Sequence, residues 1–180
     1  MAIDRDKLRE LLKQLGKALK KPTTLCLIGS APGILAGQTD RNTSDLDVWK
    51  PYSNFVEEDF LAACRKVGLL FNPKGEVEET DIYVQIVEPG IVAVPKEFIP
   101  EAAETFGKLR VVTPPAAAIA ASKLLRAAPH DIADIGWWMR HRALTIEEIE
   151  AAISSLPRRV DRETAGENLI FVQLLERKRP

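Results

Sequence analysis

The chain changes its periodicity at Thr113-Pro114-Pro115. Upstream, apolar residues gather in short runs broken by Gly, Pro, Asn and Asp, the pattern of buried strands and turns. Downstream, the runs are longer and recur at helical spacing. The prolines stand where a missing N–H and a fixed φ suit a first helical turn. Such a chain reads as a mixed α/β core over residues 1–112, followed by a helical region over 113–180 packed on it. With 180 residues, enough surface can be buried to hold this fold without disulfide staples.

Within the first region, residues 4–20 read as a helix, with Leu8, Leu11, Leu12, Leu15 and Leu19 on one side and Pro22 as its stop. Thr23 to Ile28 is a buried strand running into a tight Gly29-Ser30 turn. Ala31 to Gly37 makes one or two helical turns with Ser30 as N-cap. After a polar loop over 38–44, Asp45 to Trp49 alternates acidic and apolar residues as a second strand. Phe55 to Val67 is an amphipathic helix, and Gly68 to Phe71 a short strand. Thr80 to Val87 alternates cleanly, with Ile82, Val84 and Ile86 on one face and Asp81, Tyr83 and Gln85 on the other. Ile91 to Val94 and Leu109 to Val112 complete the expected strands. The helical region contains a run from Thr113 to Ala128, a helix over His130–Arg142, one opened by the Thr145/Glu148 capping box, and one over Glu163–Glu176.

Charge and cysteine use narrow the function classes. A net charge of −1 gives no broad field to attract nucleic acid or an anionic membrane. No apolar stretch reaches the roughly 20 residues that span a bilayer. The opening MAIDRDKLRE lacks the apolar core of a signal peptide. Cys26 and Cys64 lie in apolar surroundings with no metal-type pairing, so a cytoplasmic chain is expected.

The chemistry concentrates in Asp45-Leu46-Asp47. Alternation puts both carboxylates on one strand face, with Cα atoms about 6.5–7 Å apart, while Leu46 and Val48 turn inward. Two charges that close repel by roughly 2–3 kcal/mol at an effective dielectric near 20. A divalent cation reverses that sign, and all-oxygen ligands suit magnesium, which takes one or two carboxylates plus substrate phosphates. Asp81 faces away from the apolar side of its own strand, and it joins the pair if the two strands are neighbours. Three carboxylates on one sheet surface are what two-metal nucleotidyl transfer requires. Upstream, Gly29-Ser30 offers a close backbone approach and a hydroxyl to a phosphate, and the helix that follows adds free N–H groups.

The string LIGSAPGILAGQTDRNTSDLDVW resembles the signature of the polymerase-β-like nucleotidyltransferase superfamily. In that signature an apolar strand is followed by Gly-Ser, a short helix, and Asp-x-Asp on the next strand. TDIYVQIV is similar to its third-acid strand. VVTPPAAAIAASKLLRAAPHDIADI resembles a pattern in small nucleotidyltransferase-like proteins related to abortive-infection and toxin–antitoxin modules. The resemblance spans roughly residues 23–140. It implies a short mixed sheet with flanking helices and a magnesium-dependent enzyme with two ions in its site. Such an enzyme moves a nucleoside monophosphate from a nucleoside triphosphate to an acceptor hydroxyl on tRNA, protein or a small molecule. By this resemblance Gly29 and Ser30 contact phosphate, and Asp45, Asp47 and Asp81 hold metal and carry catalysis. Lys123 reaches the triphosphate, and Asp131 is a supporting polar residue.

An alternative within the same fold is a non-catalytic nucleotide-binding or antitoxin-like module, with a toxin–antitoxin partner in place of an acceptor. A metal-dependent phosphohydrolase is excluded, since His130-Asp131 would need further histidines and the chain has two in all. Read locally, Asp131 suits a first helical turn. Asp131 and Asp134, three apart, are placed to pair with Lys123 or Arg126.

Overall fold

The structure is a computed structural model and describes residues 3–177. It is a mixed α/β chain that divides into two compact units. One comprises Met1–Pro89 with Pro100–Thr113, the other Gly90–Ile99 with Pro114–Pro180. Among the described residues no helix is long and apolar enough to cross a membrane.

The first unit opens with α1 (Arg5–Ala18), whose first turn is capped by the Asp4 side chain accepting from Lys7 N at 2.9 Å. Its Leu8, Leu12 and Leu15 are fully buried. The helix lies so close to the sheet that a Cβ on Gly16 would overlap the Phe106 carbonyl oxygen, which fixes this residue as glycine. There follow β1 (Thr23–Cys26), α2 (Ala31–Ala36), β2 (Asp45–Trp49), α3 (Glu57–Lys66), β3 (Leu70–Phe71), β4 (Tyr83–Val87), β5 (Glu101–Phe106) and β6 (Leu109–Thr113).

These strands form two three-stranded sheets rather than the single short mixed sheet expected. One has the order β1-β6-β5, with β1 parallel and β5 antiparallel to β6. The other has the order β2-β4-β3 and is parallel throughout. Just past the end of β1 the sheets are stitched together. Leu27 N donates to Val112 O and Ile28 N to Asp47 O, both at 2.9 Å. Leu25, Leu27, Leu46, Val48, Phe60, Val84, Leu109 and Val111 fill the core, and Phe60 packs between Phe55 and Phe71 with ring centroids 4.9 and 5.6 Å away. Cys26 and Cys64 are buried free thiols, each pushed up to about 12 by burial, so neither supplies a thiolate near neutral pH.

Two differences from the expected strands have local causes. Ile91–Val94 forms no strand. It is hemmed by a turn at Gly90 (φ 98°) and by Pro95, which cannot donate to a ladder. Conversely, Glu101–Phe106 has little strand propensity but becomes β5, because Gly107 at φ 60° folds it back on the strongly apolar β6.

The second unit contains α4 (Ala116–Leu124), α5 (Pro129–His141), α6 (Ile146–Ser154) and α7 (Arg159–Arg177). Helix α4 packs on the other three, burying Ala120, Ala121 and Leu124, with Ile135, Ile149, Ile153, Ala165, Leu169 and Val172 also buried. The expected capping box is formed: Glu148 N donates to Thr145 Oγ1 at 3.2 Å and Thr145 N to Glu148 Oε2 at 2.9 Å. Trp137 and Trp138 are buried edge to face, 5.1 Å between centroids.

Candidate functional site

Strand β2 runs parallel to β4 with Asp45 opposite Tyr83 and Asp47 opposite Gln85. Leu46 and Val48 are buried, so alternation places the half-buried Asp45 and Asp47 together on the other face. The Thr43 hydroxyl donates to Asp45 Oδ1 at 2.5 Å. Thr43 is itself pinned by backbone bonds in both directions with Ile3. The phenol of Tyr83 is raised above its ordinary pKa, first by burial and then by the negative fields of Asp45 and Asp47.

The Gly29–Ser30 corner comes up against this pair. Gly29 has φ +71°, and a Cβ built on it would stand 2.5 Å from Asp47 Oδ2. Both backbone conformation and space therefore demand glycine here. Ser30 occupies the N-cap position of α2 as expected, but its side chain makes no capping bond. Its Oγ instead accepts from Arg41 Nη2 at 3.2 Å.

Asp81 lies just before β4, which begins at Tyr83 rather than at Thr80. Its carboxylate accepts from Glu78 N at 3.1 Å and its own N–H donates to Glu78 O at 2.9 Å, closing the 78–81 turn. The strand positions opposite Asp45 and Asp47 are held by a phenol and an amide, and the Gln85 amide donates to Asn72 Oδ1 at 3.0 Å. Among the described residues no three His, Cys, Asp or Glu side chains gather as a metal-holding group. The donor set of Asp45 and Asp47 still fits one hard cation, provided its remaining oxygens come from substrate phosphates and water.

Lys123 belongs to the second unit, in α4. Its ammonium is buried between two aspartates of α5, 2.8 Å from Asp134 Oδ2 and 3.4 Å from Asp131 Oδ1. Arg126 grips Asp131 with two bonds of 2.7 and 2.8 Å, and Ala128 N donates to the same carboxylate at 3.3 Å. Burial alone would push the Asp131 carboxyl up. The Arg126 hydrogen bonds, with the charges of Lys123, Arg126 and His130, outweigh it and hold the group below its ordinary value. Asp131 thus pairs with Lys123 and Arg126, and Asp134 with Lys123, the partners expected for them.

Arg41, Thr43 and Tyr83 were not singled out by sequence. Their one signal is spacing: Arg41, Thr43, Asp45 and Asp47 recur every second residue into β2, and Tyr83 shares the polar face of its strand.

No family model matches the chain, and neither a curated protein nor a solved structure does.

Proposed function

We propose that the first unit carries a magnesium-dependent nucleotidyltransferase site, which binds a nucleoside triphosphate and transfers its nucleotidyl group to an acceptor hydroxyl with release of pyrophosphate. The observation that carries this reading is the contact of the Gly29–Ser30 corner with the Asp47 carboxylate. The corner and the Asp47 carboxylate are neighbours, which supports a phosphate bound beside the carboxylate pair. Asp45 and Asp47 would hold the metal, oriented on one side by the Thr43 hydroxyl. Magnesium, when bound, supplies charge neutralisation for the triphosphate and for the leaving pyrophosphate. Ser30 offers a hydroxyl to a phosphate oxygen, and the missing side chain of Gly29 lets the Asp47 carboxylate come close to that corner.

Tyr83 and Gln85 opposite the two aspartates, with Asp81 engaged in its own turn, favour a second reading. In it the same site binds a metal–nucleotide complex without catalysing transfer, as part of an antitoxin-like or other regulatory module. The readings separate in one experiment, incubation with each labelled nucleoside triphosphate, magnesium and a cell lysate. The enzyme predicts label incorporated by the wild type and lost in Asp45→Asn/Asp47→Asn. Binding without incorporation selects the module, and equal incorporation by both proteins overturns the catalytic reading.

A further inference from the structure

The loop between α2 and β2 is held at both ends. At its start, Gln38 is buried and its N–H donates to Gly33 O at 2.9 Å. At its end, Thr43 is paired with Ile3. Between these anchors, Arg41 sends its guanidinium back across the loop to the Ser30 hydroxyl. A hydroxyl that leaves its own helix uncapped is thus committed to a cation. Both groups stand at the corner whose other wall is the Asp47 carboxylate.

The electrostatics of the corner give this cation a task. A magnesium ion between Asp45 and Asp47 balances their two charges and leaves most of the negative charge of a bound polyphosphate for other cations to offset. A guanidinium carries five donors in a planar fork matched to phosphate oxygens, and one fixed on a braced loop loses little freedom on binding. We propose that Arg41 is a phosphate-binding residue of this site, acting with Ser30 on one phosphate group, so that the site selects polyphosphorylated ligands. This rests on the metal–nucleotide reading and adds to it a protein cation, Arg41, to which that reading gives no role. On the substrate side the ligand class is a nucleoside di- or triphosphate rather than a nucleoside or monophosphate.

The test uses the full chain and inorganic tripolyphosphate with magnesium, measured by calorimetry, so that no base contact contributes. Arg41→Gln is expected to weaken binding by roughly ten-fold or more, the scale of a lost charge-assisted hydrogen bond. Arg41→Lys, which keeps the charge and loses the fork, is expected to fall between that variant and the wild type. Ser30→Ala combined with Arg41→Gln should lose less than the sum of the single effects, because both act on one phosphate. Manganese binding followed by electron paramagnetic resonance should survive Arg41→Gln and be lost in Asp45→Asn/Asp47→Asn. Wild-type affinity in Arg41→Gln, or a lowered melting temperature with wild-type affinity in Arg41→Lys, overturns the assignment and leaves Arg41 as a loop brace. Polyphosphate binding that depends on Arg41 but ignores both magnesium and the aspartates supports Arg41 and overturns the metal reading. Absence of binding by the wild type overturns both.

Discussion

Each unit carries a pair of aspartates, and the pairs differ in what surrounds them. Asp131 and Asp134 are buried on a helix and are answered inside their own unit by Lys123 and Arg126. Asp45 and Asp47 are half-buried on a strand face, and the Asp47 carboxylate lies directly against the bare backbone of Gly29. Burying an ionised carboxylate is costly unless the protein supplies its counter-charge, so the helical pair has to be finished from within. A half-buried pair can draw a cation from solution. The same residue type is structural in one unit and a candidate ligand set in the other, and burial is what separates them.

The largest expected effect falls on the helical pair. Lys123→Met leaves two carboxylates buried without their shared cation and should destabilise the protein by about 3–5 kcal/mol in urea denaturation. Asp45→Asn/Asp47→Asn removes charge at a half-buried site while keeping side-chain shape, and should leave stability within about 1 kcal/mol of the wild type. Comparable losses in the two variants would break the contrast.

Gly29→Ala comes next. A positive φ combined with a Cβ pressed onto Asp47 should cost roughly 1–3 kcal/mol and displace that carboxylate, so metal affinity falls together with stability. A full loss of stability with unchanged metal affinity would detach Gly29 from the site.

Acid titration sharpens the contrast further. The folded carboxyl of Asp131 lies below its unfolded value. Its contribution is therefore present above the unfolded pKa of about 3.9 and is lost as pH falls through the lower folded value. Asp131→Asn should be clearly less stable than wild type at neutral pH, and the gap should narrow on the acid side. A gap independent of pH would contradict the charged role.

The smallest effect is optical. With Tyr52→Phe as background, the absorbance titration of Tyr83 should lie above the ordinary phenol value of about 10. It should move down in Asp45→Asn/Asp47→Asn but stay raised, since burial is the larger cause. An unchanged titration would mean that the carboxylates do not face the phenol.

What could be read from sequence follows from how local each signal is. β2 is seen at the ends expected for it, Asp45 and Trp49, because strict alternation reports a strand and both its faces at once. The Thr145 box and the placing of Asp131 and Asp134 on one helix face depend on spacings of three residues, which sequence displays directly, whereas their pairing with Lys123 crosses from α4 to α5. Strand register is not local. Nothing within TDIYVQIV says that Tyr83, rather than Asp81, stands opposite Asp45, and that outcome depends on where the 78–81 turn closes. β5 was missed for a related reason, as Glu101 to Phe106 becomes a strand only through its partner β6. Arg41 lies in the loop before β2, so its two-residue spacing with Thr43, Asp45 and Asp47 does not by itself set the direction of its side chain.

The central claim is that Asp45 and Asp47 hold a cation beside a phosphate-binding corner. Equilibrium binding of a nucleoside triphosphate, with magnesium and with chelator, to wild type and to Asp45→Asn/Asp47→Asn tests it most directly. Wild-type binding should strengthen by roughly ten-fold or more with magnesium, and the double variant should no longer respond to the metal. Binding that is equal in the two proteins, or indifferent to magnesium in the wild type, would contradict that claim.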